Sequence, residues 1–308
     1  MRVGEKIRTE MVLASALTLV AEGVIVYFIV TLLGLPLFAV FLFLALLWVI
    51  QWIAGPYFIS RRCREVDPSD PEYGWLHGMV EELASGARMG KPRIYVSNDP
   101  FPNAFAFGNS LRRGIAFTKP ILEILTQEEL KAVAGHELGH LKHHDVEAGI
   151  AFGLLPLVLN WIGSAMASLG ILWMTAASDE VGILLGMASL AIGWMVTIVA
   201  LAVNIFVLWF NRLRESLADL HAIKLLGNNG YFLATALAKL QLYMRNVKVD
   251  PIRGVVLTVP PAKIRASRPE ELLREWKETK ISPLADVLST HPHPAKRVKM
   301  ILEAINYG

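Results

Sequence analysis

Long stretches without charged residues most strongly constrain what this chain of 308 residues can fold into. Residues 11–60 contain a single charged residue, Glu22, and residues 148–178 and 181–211 contain none. Gly34-Leu35-Pro36 divides the first stretch, so each of four segments reaches the roughly 20 apolar residues that a helix needs to cross a membrane. Buried helices of a soluble protein would carry charged residues on one face. We therefore expect four transmembrane helices.

The placement of Lys and Arg predicts the orientation of these helices. All 30 lie outside the four apolar segments, and neither short connection, at Pro36 or at Asp179-Glu180, contains one. By the positive-inside rule, both termini and the middle polar block are expected on the cytoplasmic side of the cell (inner) membrane. The expected regions are residues 1–60, a cytoplasmic tail and first transmembrane hairpin; 61–147, the first polar block; 148–211, the second hairpin; and 212–308, the second polar block.

The remaining composition excludes several classes of protein. The net charge is only +3 at neutral pH, which gives no support for a nucleic-acid partner. Cys63 is the only cysteine, so neither an intramolecular disulfide nor a cysteine-rich zinc site can form. Glu22 is an expensive residue inside a membrane, and we expect it either to serve a function or to form a hydrogen bond with Asn160 or Asn204.

The two polar blocks have the sequence signals of a small α+β domain. Thr126, followed by Glu129 three residues later, is the pattern of a capping box, which predicts a helix that runs through Lys142. Short apolar runs between turn residues predict strands. The other expected elements are a helix at 72–89, strands at 93–97, 104–107 and 114–117, helices at 211–226, 232–244 and 294–306, and an irregular loop at 255–267.

One motif in the predicted helix carries chemistry, His136-Glu137-Leu138-Gly139-His140. Histidines four residues apart project from one helical face, so both imidazoles can bind one Zn²⁺ ion. Glu137 can then take a proton from a zinc-activated water and pass it to the leaving amine. His143 and His144 lie close by, but no glutamate follows the first histidine of the alternative pair, His140 and His144. We interpret both as interfacial or outer residues.

A catalytic zinc needs a third protein ligand and an open fourth position. Glu215 is the best candidate, because it follows the last apolar segment by four residues and a transmembrane hairpin would return it to the side of His140. Asp219 lies one helical turn further and can accept the second ring N–H of a ligand histidine. From spacing alone, a surface helix with charges four residues apart is the alternative.

Four motifs together resemble the HtpX-like membrane zinc metallopeptidases, relatives of the zinc-dependent CAAX prenyl protease. They are His136–His140, Glu215-x-x-Ala218-Asp219, Asn103-Ala104-Phe105, and Ser289-Thr290-His291-Pro292 followed by Arg297. The combination is more specific than the histidine motif alone, which many zinc peptidases share.

The resemblance implies a role for each matching residue. One zinc ion per chain would be bound by His136, His140 and Glu215, with Glu137 as general base and acid and Asp219 outside the ligands. The other implied roles are substrate binding in an extended form by Asn103 and Ala104, donation to the oxyanion of the tetrahedral intermediate by His291, and orientation of that loop, or pairing with Asp219, by Arg297.

We therefore expect a mainly α membrane protein with four transmembrane helices in two hairpins and a cytoplasmic zincin-like α+β catalytic domain with a small sheet, formed by the two polar blocks. The expected function is a zinc endopeptidase that cleaves misfolded or damaged membrane proteins at the cytoplasmic face. Its partners would be polypeptide substrates and the lipid bilayer; the oligomeric state stays open.

Two alternatives compete with this expectation. The first is CAAX-type processing of prenylated proteins, although the relatives that enclose a large chamber use more than four membrane spans. The second is a non-proteolytic membrane scaffold with a structural zinc, for which His143, His144 or His291 would have to be the fourth ligand. An intramembrane site-2-type protease would place the histidine motif inside an apolar segment, which this sequence does not do.

Overall fold

The computed structural model describes residues 3–245, 266–282 and 286–306. The chain divides into two compact units. The polar unit comprises residues 1–11, 50–148 and 211–308, and the apolar unit comprises residues 12–49 and 149–210. Most of the loop expected at 255–267 lies outside the described residues.

The described chain is mainly helical, with one small mixed sheet. The helices are α1 (Val3–Leu33), α2 (Leu37–Ser60), α3 (Trp75–Gly86), α4 (Lys119–Ile124), α5 (Gln127–Lys142), α6 (Asp145–Ala176), α7 (Glu180–Leu226), α8 (Tyr231–Met244), α9 (Pro269–Glu278) and α10 (Pro294–Asn306), and a 3-10 turn (Gly227–Gly230) joins α7 to α8. The strands are β1 (Arg64–Glu65), β2 (Arg93–Ser97), β3 (Ala104–Gly108) and β4 (Arg113–Thr118).

Four helices, α1, α2, α6 and the one that begins at Glu180, are long and apolar enough to cross a membrane. Within the apolar unit, α6 and α7 approach each other at glycines. A Cβ atom on Gly163 would lie 2.8 Å from the carbonyl oxygen of Gly193, and one on Gly170 would lie 2.6 Å from that of Gly186. Helices in membranes pack closely through such small residues, because hydrocarbon provides no hydrophobic force to bring them together.

The hydrogen bond expected for Glu22 is not formed. Its Oε1 atom is buried without a hydrogen-bond partner in the described part of the chain. Asn160 is exposed on α6, so its amide does not face the interior of the apolar unit. The pairing of Glu22 with Asn160 or Asn204, one of the two alternatives for this residue, is therefore not found among the described residues.

The sheet of the polar unit has the order β1-β2-β4-β3, with β2 parallel to β4 and β3 antiparallel to it. Strand β3 is therefore at an edge. The amide of Thr118 donates to the carbonyl of Asn103 (2.9 Å), and the amides of Asn109 and Arg112 donate to each other's carbonyls. Hydrogen-bonded positions alternate in antiparallel pairs. The backbone N–H and C=O groups of the odd-numbered residues of β3 therefore point toward β4, and those of the even-numbered residues point toward the outer edge.

Helix α5 is the central helix of the polar unit. The capping box at its start is confirmed, because Thr126 accepts from the amide of Glu129 (3.3 Å) and Glu129 accepts from that of Thr126 (2.9 Å). Leu130 and Leu138 are fully buried in an apolar cluster with residues of α3, α8 and the sheet. The second half of this helix carries the histidine motif, so the apolar cluster anchors the helix that bears the motif.

Candidate metal centre

Three side chains from two helices meet in the polar unit. Helix α5 provides His136 and His140, and α7 provides Glu215. The two Nε2 atoms are 3.2 Å apart. Oε1 of Glu215 lies 3.3 Å from Nε2 of His140, and Oε2 lies 3.6 Å from Nε2 of His136. One donor atom from each residue lies within 4.8 Å of the others, and all three residues are buried.

These separations fit a single small cation. Two nitrogen atoms at about 2.05 Å from a zinc ion, at a tetrahedral angle, are about 3.3 Å apart. The distances between His140 Nε2 and its two neighbours match this value. The donor set of two imidazoles and one carboxylate is also one that zinc peptidases use.

Small residues allow the two ligand-bearing helices to approach. A Cβ atom on Gly139 would lie 3.1 Å from the Cα atom of Ala218, and one on Gly135 would lie 3.6 Å from that of Ala222. A side chain at Gly139 would push α5 away from α7, whereas Gly135 leaves room for a methyl group at an ordinary distance. Gly139, the glycine within the histidine motif, therefore lets α5 and α7 pack closely. Glu215 reaches His140 across this close contact.

Asp219 and Arg297 support the first histidine. Oδ1 of Asp219 lies 2.8 Å from Nδ1 of His136. The guanidinium of Arg297 donates to both oxygens of the same carboxylate, at 2.8 and 2.6 Å. Asp219 thus lies between a cation and an imidazole, where it can fix the ring orientation and leave Nε2 available to a metal. All three side chains are buried.

Asp145 has the corresponding position beside the second histidine. Its Oδ2 atom lies 2.7 Å from Nδ1 of His140, and its Oδ1 atom lies 3.5 Å from Nε of Arg214. Sequence reasoning missed this residue, which reads there as an ordinary acidic residue at a helix start. No sequence signal singles it out, because its burial is visible only in the structure.

The centre carries more negative than positive charge. In the part of the chain that the structure describes, two guanidinium groups oppose the buried carboxylates. Among the described residues, the buried carboxylates of the centre number four. When all four carboxylates are ionised and both guanidinium groups are charged, a net charge of two negative units remains, which a divalent cation would neutralise. The carboxylates are those of Glu137, Asp145, Glu215 and Asp219, and the guanidinium groups are those of Arg214 and Arg297.

The surplus of negative charge raises the pKa of both histidines. Burial by itself lowers the pKa of His136, but the carboxylates of Asp219 and Glu215 outweigh it and leave the pKa above its usual value. Burial also opposes the shift of His140, whose pKa is raised by Asp145 and Glu215. The site therefore favours positive charge where the two imidazoles and the carboxylate meet.

The carboxylate of Glu137 faces the edge strand. Its Oε2 atom accepts a hydrogen bond from the backbone amide of Ala106 (2.7 Å), one of the outward-facing residues of β3. The side chain is 3% exposed, and burial raises its pKa. A carboxylate with a raised pKa can accept a proton near neutral pH and give it back.

Comparison with known proteins identifies the family. Residues 71–305 match the family described as Peptidase family M48, and this range contains all the residues of the centre. The chain belongs to peptidase family M48. It is therefore a metalloprotease, and its four membrane-capable helices make it a membrane member of the family.

The M48 relatives cover almost the whole chain. Protease HtpX homolog 1 of Sulfolobus acidocaldarius is 46% identical over 304 residues, which are 98% of each protein. Protease HtpX homolog 1 of Saccharolobus solfataricus is 44% identical over 309 residues, covering 100% of this chain and 99% of the relative. The resemblance to HtpX-like peptidases is thereby confirmed.

A solved structure supports the fold independently. The crystal structure of S. mikatae Ste24p superposes with a TM-score of 0.51 at 17% sequence identity. The match covers 96% of this chain but only 66% of the other, so the chain spans about two thirds of that protein. At this identity the likeness supports the fold alone. It agrees with a mainly helical protein that has a small mixed sheet.

Membership of family M48 implies a metal cofactor, and the His-His-Glu group is where the described residues could hold it. His291 lies beside this group, with Nδ1 3.1 Å from Oε2 of Glu215, but it is not part of it. His144 instead contacts Glu147 (2.5 Å), and the ring of His143 packs against that of His221, 5.5 Å between centroids.

Two residues hold the loop that carries His291. Arg212 donates to the carbonyl oxygens of Val287 and Ser289, at 2.9 and 3.0 Å. Asp286 accepts from the amide of His293 (3.1 Å) and from Lys296 (2.7 Å). Sequence reasoning identified His291 only through the family resemblance, and it found neither of these two residues.

Asn103 and Ala104 lie where β3 begins. The amide of Asn103 donates to Oγ1 of Thr118 (2.8 Å), and its carbonyl accepts from the amide of the same residue. Ala104 is buried. Because it is even-numbered, its backbone N–H and C=O groups point toward the outer edge of the sheet. Both residues are therefore next to the strand edge that reaches Glu137 through Ala106.

Proposed function

We propose that this M48 peptidase is a zinc-dependent endopeptidase that hydrolyses peptide bonds of misfolded or damaged membrane proteins at the cytoplasmic face. One zinc ion per chain, bound by His136, His140 and Glu215, would supply a Lewis acid that polarises the substrate carbonyl and activates a water molecule. Asp219 and Asp145 would orient the two histidines, and Arg297 would hold Asp219 in its ionised form.

Glu137 is proposed as the general base and then the general acid. Its neighbour His136 is a proposed ligand, so the carboxylate would lie close to a water molecule activated by the metal. The Ala106 amide fixes Oε2 at 2.7 Å, and this leaves the carboxylate in one orientation. Glu137 would remove a proton from the water and deliver it to the nitrogen of the departing amine.

The edge of β3 is proposed to bind the substrate backbone. Odd-numbered residues of β3 bond to β4, so an added extended segment would pair on the side of the even-numbered residues. The bond from Ala106 to Glu137 brings this edge next to the general base. Asn103 and Ala104, at the start of the strand, would hold the segment so that one peptide bond meets the metal.

His291 is proposed to donate a hydrogen bond to the oxyanion that forms on the substrate carbonyl. It approaches Glu215 from a loop, and its side chain is 18% exposed, so it lies at the open side of the centre. The bonds of Arg212 and Asp286 fix that loop. A donor held in place before the reaction stabilises developing charge without reorganisation.

The membrane arrangement is part of the proposal. Residues 1–60 and 148–211 would form two transmembrane hairpins, and residues 61–147 and 212–308 would form a cytoplasmic catalytic domain. The support is the charge distribution, because all Lys and Arg lie outside the four apolar segments and the two short connections. An active site on that side, anchored by four helices, favours substrates that are themselves in the membrane.

The three-ligand group is the observation that carries the function. A structural zinc fills all four positions with protein atoms, whereas a catalytic zinc keeps one position open. Among the described residues, only His136, His140 and Glu215 bring donor atoms within 4.8 Å of one another. With a metal bound there, Glu137 would have a water to act on, which a closed scaffold site would lack.

A pair of isosteric substitutions tests this function. The purified full-length protein, loaded with zinc in detergent, would be assayed on an unfolded polypeptide and on a membrane protein. Glu137→Gln is expected to lower kcat by at least about a hundredfold, the contribution of general acid–base catalysis, while one zinc per chain stays bound. Glu129→Gln is the matched control, since Glu129 is a buried glutamate of the same helix that bonds Thr126 and Lys239 instead.

The control separates chemistry from folding. Glu129→Gln is expected to lower the unfolding temperature and leave kcat nearly unchanged. Full peptidase activity in Glu137→Gln would refute the proposed mechanism, and zinc that resists chelation with no hydrolysis of any polypeptide would support the scaffold instead.

A further inference from the structure

One pocket of the polar unit shares no residue with the metal centre. It has a volume of about 330 Å³ and is formed by the start of α1, the end of α3, the end of α5 and the last three turns of α7. No residue of the centre lines it. We call it the basic pocket and define it by its basic side chains, which are Arg8, Lys142, His143, His221 and Lys224.

The lining of the basic pocket contains no acidic residue. Arg8, Lys142 and Lys224 form no ion pair with a carboxylate in the described ranges of the chain. Other lysines of the polar unit do, for example Lys131 with Glu82 at 2.6 Å and Lys239 with Glu129 at 2.7 Å. Three permanent positive charges converging on one pocket without a counter-charge repel one another, so an anion bound there would be stabilised.

One hydrogen bond and one ring contact lie in the wall of the pocket. The ammonium group of Lys142 donates to the carbonyl oxygen of Ala87, just after the end of α3, which fixes the lysine at the pocket wall. The ring of His221 stands nearly perpendicular to that of His143, at 89°. Nε2 of His221 is buried without a hydrogen-bond partner among the residues described here. A buried polar atom without a partner is costly, and a ligand oxygen could satisfy it.

The pocket also has an apolar side, formed by Leu217, Leu220 and Leu225 of α7. A ligand with an anionic group and a hydrocarbon part fits this combination better than a free inorganic ion does. In the sequence, Arg8 comes three residues before the first apolar segment and His143 five residues before the third. Such juxtamembrane positions favour contact with lipid headgroups.

We propose that the basic pocket binds the phosphate group of an anionic membrane phospholipid. Phosphate oxygens accept charge-assisted hydrogen bonds from arginine and lysine, and the leucines contact the glycerol and the first carbons of the acyl chains. Inorganic phosphate offers the same anionic chemistry without the apolar part. The site does not depend on zinc or on hydrolysis, so it can fail or succeed independently of the peptidase mechanism.

Native mass spectrometry of the full-length protein in detergent tests the proposal. The protein would be titrated with phosphatidylglycerol or with phosphatidylcholine, and the bound lipids would be counted. The parent is expected to retain one phosphatidylglycerol molecule more tightly than phosphatidylcholine. Each single substitution, Arg8→Gln, Lys142→Gln or Lys224→Gln, is expected to weaken this binding about fivefold, since one basic residue near an anionic surface contributes about 1 kcal/mol. The triple variant is expected to lose the preference.

A second triple variant controls for net charge. Lys119, Arg274 and Lys277 are also exposed and without an ion pair among the described residues, but none lines the basic pocket. Replacing all three with Gln removes the same charge, and we expect phosphatidylglycerol binding to stay close to that of the parent. Unfolding temperatures of both triple variants would show that each is folded.

Three results would overturn the proposal. The pocket triple variant could bind phosphatidylglycerol as well as the parent does, or the control triple variant could lose as much affinity. Inorganic phosphate could also displace the lipid and bind the parent as tightly by itself, which would make the pocket a soluble-anion site. If anionic lipid displaces the bound phosphatidylglycerol and inorganic phosphate does not, the result supports the lipid assignment.

Discussion

Asp145 provides a sharp test of how the metal centre is held. Its carboxylate lies 2.7 Å from Nδ1 of His140 and is almost completely buried. Replacing it with alanine removes the group that orients the ring, and the charge of Arg214 then loses its partner at 3.5 Å. Both changes disfavour a cation at Nε2 of His140.

The expected magnitude follows from the kind of contact. Loss of an outer partner of a ligand histidine lowers metal affinity by about 10- to 100-fold, which is about 1.4–2.7 kcal/mol. Asp145→Ala is expected at the upper end, because the hydrogen bond and the charge disappear together. Asp145→Asn is expected near the lower end, since the amide oxygen can still accept from the ring N–H while the charge is lost.

Zinc affinity would be measured by competition with a chromophoric chelator, using metal-free full-length protein in detergent. Asp286→Asn is the control, because Asp286 is another buried aspartate of the polar unit that bonds Lys296 and the amide of His293 instead of a proposed ligand. It is expected to leave zinc affinity unchanged. If Asp145→Ala binds zinc within about twofold of the parent, the assigned role of Asp145 is wrong.

Further predictions concern packing and the strand edge. Gly135→Ala is expected to raise stability by about 1 kcal/mol, since the new methyl group meets α7 at an ordinary 3.6 Å and helix propensity improves. Gly139→Ala is expected to lower stability by about 1–3 kcal/mol, because its methyl group would lie 3.1 Å from the Cα atom of Ala218. Denaturation of both variants in detergent measures their free energies of unfolding, which are expected to change in opposite directions. Equal changes in the two variants would contradict this reasoning. Ala106→Pro removes the backbone amide that bonds Glu137 but removes no hydrogen bond to β4. We expect kcat/KM to fall about 10- to 100-fold, while circular dichroism shows that the fold is intact. Unchanged kcat/KM would exclude a role for that amide.

Local patterns in the sequence predicted much of the fold and of the site. The capping box at Thr126 and the four-residue spacing of the histidines depend only on helix geometry, and both are present in α5. The strands at 93–97, 104–107 and 114–117 were placed within one residue of their ends. Helix α9 was missed although its signal was present, with Pro269 at its first position and Leu272, Leu273 and Trp276 on its buried face.

The surroundings of the site depend on geometry that the sequence does not display. Asp145 follows His140 by five residues across a helix break, where His144 adopts a φ of 56°, and the direction of the carboxylate depends on that break. Likewise, the bond from Ala106 to Glu137 uses a backbone group. Which residues of β3 face outward depends on how the turn from Asn109 to Arg112 pairs, and no side-chain pattern specifies this.

The outward-facing backbone of β3 would have a kinetic consequence for a substrate that binds there as proposed. A segment can pair with this edge only if its own N–H and C=O groups are not already bonded within a helix or sheet. If substrate binds at this edge as proposed, cleavage would depend on the local opening equilibrium of the substrate rather than on its side chains, and each 1.4 kcal/mol of local stability would slow cleavage about tenfold when opening is fast. A correctly folded neighbour in the same membrane would then be spared by its own hydrogen bonds, without any recognition signal.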